Sequence, residues 1–80
     1  MDSNDNSTII TIYVLDGDKE IYAQKIKPVK HLPRIGEQIR LKFGRLPQEY
    51  YKKMGVVTNV SYAFMNERLE EIRITVQVVK

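Results

Sequence analysis

Thr8–Ile26, TIITIYVLDGDKEIYAQKI, decides the fold. Thr8 to Leu15 is rich in Ile, Thr, Val and Tyr, residues that suit a pleated, half-buried strand. Ile10, Ile12 and Val14 fall on one face; Ile9, Thr11, Tyr13 and Leu15 fall on the other, so both faces should be partly covered. Asp16-Gly17-Asp18 follows as a tight turn, with Gly17 free to take a positive φ. Glu20 to Lys27 alternates again, and Pro28, which lacks an amide hydrogen, marks an edge, a bulge or the strand end. A hairpin is predicted.

Reading outward, Leu32 to Ile39 forms a turn into a third strand. Pro33 presets φ and Gly36 accepts a conformation other residues resist. Ile39, Leu41 and Phe43 then point one way, and Gln38, Arg40 and Lys42 the other. Gly44 to Gly55 breaks the alternation. Pro47 can open a helix and Gly55 can stop it, so Gln48 to Met54 is a two-turn helix docked on the rest, or an ordered loop. Val56 to Met65 is a fourth strand, with Val56, Thr58, Val60, Tyr62 and Phe64 on one parity. A turn over Asn66 to Glu70 leads to a fifth, Glu71 to Val79, with Ile72, Ile74, Val76 and Val78 inward.

Five strands with one short helical turn make an all-β domain over residues 8–80, after a polar tail at 1–7 expected to be disordered. Rolling up buries one core and removes exposed edges. The segments LPRIGEQIRL (Leu32–Leu41) and VVTNVSYAF (Val56–Phe64) resemble the turn-and-strand elements of small SH3-like β-barrel proteins of bacterial or phage origin. The resemblance spans about half the chain and implies an SH3-like barrel or roll. It is a structural signature and brings no catalytic residue. An OB-like barrel is the alternative, because a helix commonly lies between its third and fourth strands.

Eighty residues without a cysteine exclude disulfides and thiolate metal sites. With His31 as the single histidine, a structural zinc site cannot be assembled within the chain. Residues 1–7 have no apolar core for a leader, and no run approaches a membrane span, so a cytoplasmic protein is expected, with no membrane partner. Hydrolytic chemistry lacks its constellation. Thr58 and Ser61 sit in ordinary strand pattern, and His31 reads as a loop residue. Glu67, Glu70 and Glu71 cluster beside a turn rather than across a cleft. Asp16 and Asp18 are turn residues, and Gly36, Gly44 and Gly55 are isolated, so no phosphate loop is present. The chain reads as a non-enzyme without cofactor or metal.

Charge is unevenly placed. Lys19 to Lys53 holds ten Lys or Arg against three acids, while the rest holds three against seven. Lys25, Lys27, Lys30, Arg34, Arg40, Lys42, Arg45, Lys52 and Lys53 are candidates for a basic face binding DNA or RNA, provided the second and third strands are adjacent. Tyr50, Tyr51 and Met54 are candidates for anchoring a protein partner. Protein–protein interaction or assembly is the first reading, including self-association as a dimer, because something must cover the second face of the first strand. Nucleic-acid binding is the alternative.

Overall fold

The computed structural model describes residues 8–27, 30–42 and 45–79. Over these residues the protein is all-β, with five strands: β1 (Ile9–Asp16), β2 (Lys19–Ile26), β3 (Gln38–Arg40), β4 (Met54–Met65) and β5 (Arg68–Val78). They form one sheet in the order β2-β1-β5-β4-β3. The readings of residues 1–7, Pro28, Phe43 and Gly44 lie outside the described residues.

The β1–β2 hairpin forms as its alternation and turn dictate, with Gly17 at φ +70°. The Gln77 side chain holds this turn from β5. Its Oε1 accepts the Gly17 N–H at 2.7 Å and its Nε2 donates to the Gly17 carbonyl at 3.1 Å. That pair reproduces the double bond of a strand ladder where no strand is present.

β1 pairs with β5 in parallel, the one parallel pairing in the sheet; β5–β4 and β4–β3 are antiparallel. The registers align side chains in rows across four strands. Ile26, Ile10, Ile72 and Tyr62 make one row; Gln24, Ile12, Ile74 and Val60 the next; Tyr22, Val14, Val76 and Val57 the third. The middle positions of these rows, on β1 and β5, are the buried core. Val57 joins them because β4 shifts register between Val57 and Asn59, where Thr58 is the extra residue. That bulge puts Val57, and not Val56, on the face shared with Val60, Tyr62 and Phe64.

The core is closed by the segment between β3 and β4. Leu41 and Leu46 are buried, and Tyr50 and Tyr51 pack against the cluster. The expected helix is a single 3-10 turn, Gln48–Tyr50, because Met54 is already in the β4 ladder opposite Arg40. The Tyr50 hydroxyl donates to Asp16 Oδ2 at 2.9 Å and ties this segment to the end of β1. Donation to a carboxylate, first, and desolvation, second, hold the Tyr50 phenol above its usual range. Arg45 borders a depression lined by Tyr22, Ala23, Gln24 and Lys25 of β2, so the segment spans the sheet face toward the opposite edge. Among the described residues, β2 and β3 do not pair with one another, and this segment crosses the sheet face between them.

On the other face, Thr11 is buried beneath a polar cluster. Arg73 Nε donates to Glu71 Oε1 at 3.0 Å, and the Thr11 hydroxyl donates to Glu71 Oε2 at 3.1 Å. The bond from Arg73 holds the Glu71 carboxyl below its usual range; burial opposes the shift, and Thr11 and then Lys25 add to it. A carboxyl whose folded pKa is lowered stabilises the fold above its unfolded pKa, and that stabilisation disappears as pH falls through the folded value. Glu71→Gln should therefore flatten the loss of stability on acidification. Urea midpoints measured from neutrality to about pH 3 should fall less in the variant than in wild type. Equal falls would remove Glu71 from the acid response.

Candidate interaction surface

β4 is twelve residues long, and its outer neighbour β3 is three. β3 covers Met54, Gly55 and Val56 only. The chain just before it adds two bonds at Val57: Gly36 N–H donates to the Val57 carbonyl at 2.8 Å, and Val57 N–H donates to the Glu37 carbonyl at 2.9 Å. From Thr58 to Met65 the outer edge of β4 carries no ladder among the described residues.

The backbone groups that point out of this edge follow from its two ends. The Val57 groups point outward, as their bonds to Gly36 and Glu37 show. At the other end, Met65 and Arg68 flank a two-residue turn, Asn66–Glu67, and form the closing hydrogen-bonded pair of the hairpin. The second register shift, between Ala63 and Phe64, puts its extra residue, Glu70, on β5 and leaves β4 regular there. Counting from Met65, inward and outward groups along β4 therefore alternate, so Phe64, Tyr62 and Val60 point outward. Counting from Val57 across the bulge at Thr58 gives the same result.

These three residues also share the core face, and there they run out of cover. β1 begins opposite Glu71, so nothing from β1 reaches Phe64 or Met65. Tyr62 is 55% exposed, Phe64 66% and Met65 55%. No residue from Thr58 to Met65 is charged. Exposed sheet edges are ordinarily blunted with lysine, proline or inward charges. Here two register irregularities, at Thr58 and between Ala63 and Phe64, are the only such devices among the described residues.

Beside the edge lies a groove of about 890 Å³. One wall is the β2–β3 connection, with Lys30, His31, Arg34 and Glu37 interleaved with Leu32, Pro33 and Ile35; the other is Val60 and Tyr62. Gly36 at φ +96° lets this connection turn back onto Val57. Glu37 Oε1 accepts the Arg34 N–H at 2.8 Å and fixes the turn. Ile35 is 62% exposed at the rim.

The candidates read from sequence separate into groups. β2 and β3 stand at opposite ends of the sheet, so the condition for one continuous basic stripe is not met. Lys30 and Arg34 meet in the groove, and Lys25 and Arg45 meet at the β2 depression. Arg40 pairs with Met54 on β3, next in chain to Lys52 and Lys53, while Lys27 and Lys42 are exposed at strand ends. Tyr50, Tyr51 and Met54 are half-buried, and the two tyrosines pack on the core. Val60, Tyr62, Phe64, Met65 and Ile35 were not among the expected site residues. The signal for the β4 group was an eight-residue β-forming run with no charge on either face.

Among the described residues, no helix is long and apolar enough to cross a membrane, and no group of three or more His, Cys, Asp or Glu gathers to hold a metal ion. No protein-family model, curated protein or solved structure matches the chain.

Proposed function

We propose that this protein is a non-enzymatic binding module for protein–protein interaction or assembly, and that it takes an extended partner segment on the outer edge of β4. The observation that carries this reading is the uncharged, unpaired edge from Thr58 to Met65, flanked by exposed Tyr62 and Phe64. In strand addition, main-chain bonds supply affinity and pockets for alternate side chains supply selectivity. Val60, Tyr62 and Phe64 offer both: their backbone groups point out of the edge, and their side chains stand on the core face beside it. The groove adds apolar Leu32, Pro33 and Ile35 to receive side chains of the added strand.

A displayed library of extended peptides tests it. Peptides selected on the wild-type protein should be lost on Tyr62→Pro, which removes an outward amide without touching the bonds to β5. Selection of no edge-dependent peptide would overturn the reading.

A second reading, DNA or RNA binding, is favoured by one arrangement. Tyr62 stands half-exposed in the same groove as Lys30, His31 and Arg34, a stacking surface beside phosphate-binding groups. Single-stranded oligothymidylate should then bind with an affinity that falls steeply with salt. Lys30→Glu and Arg34→Glu should weaken that binding, whereas Arg40→Glu should not. Anisotropy that stays flat at low salt would eliminate it.

A further inference from the structure

We infer that the strand completing the β4 edge is β4 of a second copy, paired antiparallel across a two-fold axis at Tyr62. The inference rests on the strand-addition reading and names its partner.

Register follows from the backbone. A two-fold pair requires each outward residue to meet another outward residue on the same face. Only Val60, Tyr62 and Phe64 qualify. Tyr62 opposite its own copy, with Val60 opposite Phe64 on either side, satisfies all of their outward N–H and C=O groups. Shifting the axis to Ser61 or Ala63 leaves one of the three unpaired. On the core face this register stacks Val60 on Phe64 and Tyr62 on Tyr62, the aromatic and β-branched pairs that stabilise neighbouring strands. On the other face it sets Ser61 against Ala63 and Asn59 against Met65. No like charges meet, because the strip has none.

Length and charge agree with the same register. The partner's strand ends at Met65 opposite Asn59, and its turn reaches the level of Thr58. Gly36 and Glu37 occupy the edge from the next residue, Val57. The vacant edge is thus as long as the arm that fills it. The arriving turn carries Glu67, followed by Arg68 and Glu70, and it meets a groove wall carrying Lys30, His31 and Arg34. Glu37 lines the same wall, with Oε1 already bonded to the Arg34 amide.

The turn itself gives an independent pointer. Asn66 and Glu67 sit at φ +52° and +70°. A turn of this kind favours Asn-Gly, and a glutamate at its second position is strained. A non-glycine residue strained at an exposed tip points to a role for its side chain. Contact with the basic wall of the second copy supplies that role.

Sedimentation of the full chain from micromolar to submillimolar concentration should show a monomer–dimer equilibrium. Tyr62→Pro should be monomeric throughout, with the strand signal in circular dichroism retained. Should that variant fail to fold, Tyr62→Lys carries the test by placing two ammonium groups face to face. Its dissociation constant should rise about tenfold or more. Glu67→Lys should weaken the dimer, and adding Arg34→Glu should restore it. A wild type that stays monomeric, or a dimer that is indifferent to both Tyr62 variants, would overturn the inference. A monomer that still selects edge-dependent peptides leaves the strand-addition reading standing, and a monomer that selects none removes both.

Discussion

Ile74→Ala should lower the unfolding free energy by about 4 kcal/mol, near the upper end of the range for removing a buried branched side chain. Ile74 is fully buried in the middle of β5, which is the middle strand of the sheet. Ile12 of β1 and Val60 of β4 lie beside it in the same row. A cavity there is walled on both sides by ladder-bonded strands, and the site can close only by moving one of them. An eighty-residue domain is worth about 4–12 kcal/mol in all, so this one change takes a large part of it. Urea melts of the two proteins at matched concentration measure it. A cost below about 1.5 kcal/mol would mean that the crossing segment collapses into the space.

Gly55→Ala should cost about 2–3 kcal/mol, although alanine is ordinarily the better residue in a strand. Gly55 is buried on β4, opposite Ile39 on one side and Val78 on the other. A β-carbon there would overlap Val76 Cγ1 and come within 2.9 Å of Leu41 Cδ2. Both neighbours are fully buried, and valine has few rotamers to give way with. Leu41 approaches so closely because Gly55 has no side chain, and this approach brings the crossing segment down onto the sheet. The cost should fall in a Val76→Ala background, with a coupling of about 1 kcal/mol or more between the two sites. Simple additivity would show that the strain goes elsewhere.

The elements most legible in the sequence were those whose pattern repeats without interruption. The β1–β2 turn is announced by Gly17, and the inward set Ile72, Ile74, Val76 and Val78 is buried as its spacing requires. The parallel β1–β5 pairing was not legible, because alternation fixes which face a residue takes and says nothing about which strand lies beside it. The bulge at Thr58 was equally silent, since either parity of Val56 and Val57 reads as apolar. Of the two readings open for Gln48 to Met54, a two-turn helix or an ordered loop, the chain takes a loop with one 3-10 turn. Local preference over Gln48 to Met54 lost to the ladder that claims Met54.

For the candidate surface, the basic cluster at Lys30 and Arg34 was found from composition, and its companion Tyr62 was not. Tyr62 lies on the same face as the core, and the short reach of β3, which pairs only as far as Val56, leaves it uncovered. Burial at the end of a strand depends on the lengths of its neighbours, which no local pattern encodes. Tyr50 and Tyr51 illustrate the converse. Aromatic residues in a polar loop read as anchors for a partner, yet here they hold the loop to its own sheet.

The parallel pairing of β1 with β5 also sets how the domain bears load. Tension applied at residue 8 and residue 79 pulls two neighbouring, co-directional strands in opposite senses along their length. Their shared bonds, from Ile9–Glu71 to Leu15–Gln77, then resist together instead of opening one after another. Pulling β4 and β5 apart from their open end would unzip pair after pair toward the Asn66–Glu67 turn. The same sheet is stiff along one pair of attachment points and compliant along the other.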